Sequence, residues 1–156
     1  MLVVYVILNL KCARGARRGA ERLGLEDTRP HGFEWVELPA GFRPRRRMFV
    51  VRVVGESMNR RIPNGAWCLF RKASAGTRQG KVVLAQHREI QDSETGGHFT
   101  VKVYESRKEQ TPDGSWRHTS IVLRPDTSAA GHEPIALPAE AAADLRIVAE
   151  LVAVLG

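Results

Sequence analysis

Cysteine is scarce in this chain: two residues, Cys12 and Cys68, stand far apart and belong to no CxxC pair. That excludes a small scaffold stapled by disulfides and favours a reducing compartment. Long apolar stretches are lacking too. The only one, Met1–Leu10 (MLVVYVILNL), has ten residues, where a bilayer-spanning helix needs about 20. Its positive charges, Lys11, Arg14, Arg17 and Arg18, follow the apolar run, whereas a secretory signal carries them in front. The run reads either as a β-strand or as translation from a start codon placed too far upstream. A cytoplasmic protein with no membrane partner is expected.

Other absences narrow the chemistry. No glycine-rich strand-to-helix unit appears, which disfavours a nucleotide-binding α/β fold, and there are no internal repeats. The histidines, at positions 31, 87, 98, 118 and 132, form no HxxxH pair and no Cys/His zinc spacing. No metal or other cofactor is expected. A Ser-His-acid triad is open on spacing alone, because its order varies among folds. No GxSxG elbow marks a serine for it, however, and each histidine reads better as a surface residue.

What is present is an ordinary globular balance, with 43% hydrophobic and 26% charged residues in 156, enough for one domain. The net charge of +7 is unevenly placed. Residues 1–47 hold ten Lys/Arg against five Asp/Glu, and residues 48–156 hold fourteen against twelve. Arg14, Arg17, Arg18 and Arg22 form one group, and Arg43, Arg45, Arg46 and Arg47 another. Such clusters can touch phosphates without reading sequence. No aromatic interleaving accompanies them, so a solvated arm is the simpler reading.

Residues 11–32 are rich in Arg, Gly and Ala and end at the breaker Arg29-Pro30-His31-Gly32. A helix over Ala13–Leu23 is weakened by Gly15 and Gly19. From Phe33 the chain changes to short β-prone runs divided by turns. These are Met48–Val54, Ala66–Lys72 after Pro63-Asn64-Gly65, Lys81–His87 after Gln79-Gly80, Phe99–Tyr104 after Gly96-Gly97, and His118–Arg124 after Pro112-Asp113-Gly114. This predicts a mainly β, antiparallel domain over 33–156 behind an arm of 1–32. Ala139–Leu145 reads as helix, and propensity alone carries that helix through Ile147–Leu155.

Two stretches carry chemistry. In Val53-Val54-Gly55-Glu56-Ser57-Met58 a β-branched strand runs into a glycine and then a serine. Glycine lets the backbone turn closely, so a hydroxyl and neighbouring N–H groups can face one carbonyl. Capping of the next turn is serine's blander role there. In Phe99–Tyr104, alternation puts Phe99, Val101 and Val103 on one face and Thr100, Lys102 and Tyr104 on the other. A lysine in such a run is usually solvent-facing. If it is desolvated, its pKa falls and it can act as a general base.

Together, Gly-x-Ser-Met, an Asn-Gly turn, a β-run, a Gln-Gly turn, a β-run and Val-Lys-Val resemble the LexA-like Ser-Lys peptidases. That family includes self-cleaving repressors and mutagenesis proteins, within the signal peptidase superfamily. Ile121-Val122-Leu123-Arg124-Pro125 looks like the family's hydrophobic-Leu-x-Pro stretch, and the resemblance covers roughly Met48 to Leu155. It implies a fold of curled antiparallel sheets with a short helical turn or two, in which Ile147–Val154 is a strand. It implies Ser57 as nucleophile, Lys102 as general base, backbone N–H groups of Glu56 and Ser57 at the oxyanion, and Met58 packed beneath. It also implies a homodimer.

The chain departs from the family where Ala66 and Lys81 replace the acidic residue that often follows each turn glycine. Serine and lysine are 45 residues apart, on the long side, with Gln91–Gly97 reading as an extended hairpin tip. Residues 1–32 are too short and glycine-interrupted for a helix-turn-helix, which disfavours a DNA-reading repressor. The family cuts itself at Ala-Gly or Cys-Gly; here Ala40-Gly41 is the only such pair before Ser57, 17 residues ahead of it. The expected function is therefore limited cleavage of a partner protein or of the chain's own arm. The alternatives are a catalytically silent docking or dimerisation module, and a nucleic-acid binder working through the basic arm without sequence specificity.

Overall fold

The computed structural model describes residues 5–7 (backbone), 40, 42, 43, 45, 47–88, 90 and 99–156. The expected helix over Ala13–Leu23 and the hairpin tip Gln91–Gly97 lie outside them. Among the described residues, eight strands form one antiparallel sheet: β1 (Tyr5–Ile7), β2 (Met48–Val53), β3 (Ala66–Lys72), β4 (Val82–Gln86), β5 (Phe99–Gln110), β6 (Trp116–Arg124), β7 (Ile135–Pro138) and β8 (Arg146–Val154). A single helical turn, α1 (Ala139–Ala142), precedes β8. The mainly β expectation holds. Within the segment expected as an arm, Tyr5–Ile7 pairs with Val50–Arg52 at the sheet edge.

Sheet order is β1-β2-β3-β8-β4-β5-β6-β7. The last strand in the chain is thus an inner one, inserted between β3 and β4. Propensity fails at this strand, and the physical reason is burial on both faces. Val148 joins one core cluster, Ile147 packs on a second and Ala153 on a third, whereas a surface helix buries only one stripe. Glu150, 5% exposed in mid-strand, is held by Lys81 at 3.3 Å and Arg71 at 3.6 Å. Lys81 stands where relatives often carry an acid; here the acid comes from β8.

Flat, β2 and β5 would lie four strand spacings apart, about 19 Å. The sheet instead curls, helped by register shifts at Leu69/Phe70 and Leu84/Ala85, both on the ladders of β8. Inside the curl, Val51 and Val53 of β2, Phe70 of β3, Leu84 of β4 and Val101 and Val103 of β5 share one core with Met58 and Ile62. Phe49 and Phe70 stack there with ring centroids 6.2 Å apart. Cys68 is a fully buried free thiol whose pKa burial pushes up to about 12, so it packs as a small apolar residue. Among the described residues no helix is long and apolar enough to cross a membrane.

Candidate active site

Ser57 sits on a turn whose path is set by two glycines and an asparagine. Gly55, at φ 116°, takes a conformation that residues with a Cβ rarely adopt. Its N–H donates to Asn64 Oδ1 at 2.9 Å, and Gly65, at φ 82°, donates to Val53 O at 2.8 Å. The Pro63-Asn64-Gly65 turn therefore returns the chain into β3 and also braces the serine loop. Met58 and Ile62, 2% and 0% exposed, anchor that loop in the core. The chain tightens around them, with Ile62 N–H donating to Met58 O at 2.7 Å.

Lys102 lies on β5, on the face opposite Val101 and Val103. Lys102 and Ser57 are each 8% exposed. The lysine Nζ lies 2.9 Å from Ser57 Oγ, 2.8 Å from Thr100 Oγ1 and 3.1 Å from Val101 O. No carboxylate among the described residues pairs with it. Burial, unrelieved by a counter-charge, lowers its pKa from the ordinary 10.5 to about 8. A neutral amine has two N–H bonds and one lone pair. Thr100 Oγ1 and Val101 O can take the two N–H bonds, which leaves the lone pair for the Ser57 hydroxyl.

A loop that the sequence did not flag holds the serine turn from behind. Asp126 N–H donates to Ser57 O at 2.9 Å, and Arg60 N–H donates to Asp126 O at 3.2 Å. Thr127 Oγ1 donates to Glu56 O. Asn59 Oδ1 accepts from Ser128 N–H at 2.9 Å, and its Nδ2 donates to Glu56 Oε2 at 3.0 Å. Arg61 and Asp126 form an ion pair over the same contact. In a trans peptide the carbonyl and N–H point opposite ways. Holding Glu56 O therefore turns the Ser57 N–H away from the clamp. Among the described residues nothing accepts from the N–H of Glu56 or Ser57.

The structure brings Ser57 and Lys102 together, with Glu56 beside them. His87, expected at the surface like the other histidines, is instead 1% exposed, with its Nε2 2.9 Å from Ala141 O in α1. Ala40 is exposed in a turn, and Gly41 lies outside the described residues. Thr100 was legible as sharing the lysine's face, two residues away. The clamp at Asp126–Ser128 carries no signal beyond its place after the Leu-x-Pro stretch.

A buried, hydrogen-bonded serine–lysine pair at the rim of a curled β-domain defines the site of a Ser-Lys dyad hydrolase. The chain matches the Peptidase S24-like family over residues 11–152, and it belongs to that family. Comparison with curated proteins finds no match.

Proposed function

We propose that Ser57 is the nucleophile and Lys102 the general base of a limited endopeptidase acting on a protein or peptide substrate. The observation that carries this is the 2.9 Å contact between Lys102 Nζ and Ser57 Oγ, in a site where the amine has no ionic partner among the described residues. Neutral Lys102 takes the Ser57 proton as Oγ attacks the scissile carbonyl carbon. The N–H groups of Glu56 and Ser57 receive the oxyanion. The Lys102 ammonium then protonates the leaving amine, and the acyl ester on Ser57 is hydrolysed by a water that Lys102 deprotonates.

Trapping with an electrophilic phosphonate followed by mass spectrometry tests the assignment, and the adduct is expected on Ser57. Labelling at another serine, or none while cleavage persists, overturns it.

The substrate is either a partner or the chain's own arm, with Ala40-Gly41 the candidate self-cleavage pair and Ala40 exposed in support. The division into an arm of 1–32 and a domain of 33–156 belongs to the same reading, with β1 then an edge strand that the arm lends to β2. A homodimer in the cytoplasm completes it. Val152 and Val154 on β8 are 37% and 36% exposed, and a second copy is the simplest cover for them. Light scattering checks this, and a monomer at every micromolar concentration tested rejects it.

A further inference from the structure

Beyond the dyad, the β5–β6 hairpin runs on as a two-stranded ribbon, exposed from Arg107 to Gln110 and from Trp116 to His118. Lys108 pairs with His118 and Gln110 with Trp116, so these four side chains share one face of the ribbon. Trp116 is 66% exposed, unusual for an indole with no contact to fill. At the ribbon's base this face opens into a cleft of about 360 Å³, shared with the loop between β3 and β4. Gln79 ties the loop to β5 by accepting the Ser106 N–H at 2.9 Å.

The cleft gathers Arg78, Lys108 and His118, and none of its lining residues is acidic. The neighbouring carboxylates are engaged elsewhere. Glu105 pairs with Arg124 at 2.8 Å. Asp113 is held within its own turn by Thr111 and Ser115, which lower its pKa to about 2. Glu109 lies opposite Arg117 on the other face. Arg78 donates one N–H to Ser74 O at 3.3 Å, and its Nε has no partner among the described residues. Arg78, half-buried at the cleft wall, and Lys108 beside it bring two positive side chains to one cleft, which calls for an anion.

We propose that this face binds single-stranded nucleic acid, with Arg78 and Lys108 holding phosphates in the cleft and Trp116 stacking on a base. Cations supply the backbone term and a sequence-tolerant aromatic platform supplies the rest. An acidic peptide would use the cations but has no ring for the indole. A duplex keeps its bases paired and offers Trp116 none to stack on.

The test measures fluorescence anisotropy of a labelled deoxythymidine oligomer of about twelve nucleotides on the full chain. Trp116→Ala is expected to weaken binding about tenfold and Trp116→Phe to restore most of it. The double change Arg78→Gln, Lys108→Gln removes two phosphate contacts, so its loss should be about sevenfold larger at about 50 mM than at about 200 mM salt. Melting temperature and peptidase activity of the same variants should stay at wild-type values. Wild-type affinity in all three variants overturns the proposal and assigns any binding to the arginines of residues 1–47. Equal affinity for the matching duplex overturns it too, as does equal competition by an oligo-glutamate peptide.

Discussion

Lys102 and Lys108 lie six residues apart on one strand, yet they inhabit opposite regions of the molecule. Lys102 is 8% exposed and touches two hydroxyls and a carbonyl. Lys108 is exposed on a ribbon that has left the core behind. In the first region desolvation lowers the pKa of the amine to about 8. In the second, the side chain stands in water. Strand position relative to the curl, not the residue itself, decides whether a lysine is desolvated or exposed.

Removing either member of the dyad should sharpen that contrast most. Ser57→Ala and Lys102→Ala are each expected to lower kcat/KM about a thousandfold or more, with the double variant no worse because the pair acts as one unit. Lys102→Arg should be equally inactive, since guanidinium keeps its proton. Lys108→Ala should cleave at the wild-type rate. A Lys102→Ala protein that still cleaves near that rate would transfer the base role elsewhere.

The pH dependence comes next in size. With Lys102 at about 8, activity should climb about tenfold above pH 7 and level off as the amine becomes neutral. Stability carries the same signature. The folded value of about 8 lies below the ordinary 10.5, so the unfolded chain binds more protons between them and stability rises with pH across that window. The rise is about 3 kcal/mol. Denaturant titrations of wild type and Lys102→Met should diverge by that amount in favour of wild type between pH 8 and 10.5. Parallel curves would mean the amine is solvated after all.

Smaller effects probe the clamp and the ribbon. Thr127→Val deletes the hydroxyl that holds Glu56 O, and should cost about 1 kcal/mol of stability and about tenfold in kcat with KM little changed. On the ribbon, Lys108→Ala should shift stability by less than about 0.5 kcal/mol. Thermal melts and steady-state kinetics separate the two. A Thr127→Val enzyme with unchanged kcat would make the clamp a matter of folding alone.

Legibility in the sequence followed the same divide. Where strands line the core, the β-branched alternation places them well: β3 runs over Ala66–Lys72 as expected, and β2 and β4 differ by a residue or two. On the ribbon the alternation has no core to record, so β5 was expected to stop at Tyr104 and instead reaches Gln110. The four-residue β7 left no pattern long enough to read, and the helix expected over Ala139–Leu145 shrinks to one turn. Local chemistry singled out Gly55, Ser57 and Lys102 as candidates, and only the resemblance gave them roles. The clamp at Asp126–Ser128 could not be read, because its hydrogen bonds to residues 56–59 span about 70 positions and depend on the curl. Likewise, β8 betrayed its strand nature only through resemblance, since helix propensity is a local quantity and burial on two faces is not.

The central place of β8 sets the order in which the enzyme can come into being. Ser57 belongs to the β1–β3 portion of the sheet and Lys102 to the β4–β7 portion, and only β8 ladders to both. A ribosome makes β8 after both Ser57 and Lys102. Until β8 is made, the two portions share no strand, and only the common core and the Asp126–Ser128 clamp join the serine turn to the lysine strand. Pairings between segments so distant in sequence also form slowly. A translation product broken off before Arg146 lacks the one strand that ladders to both portions, and is expected to be inactive.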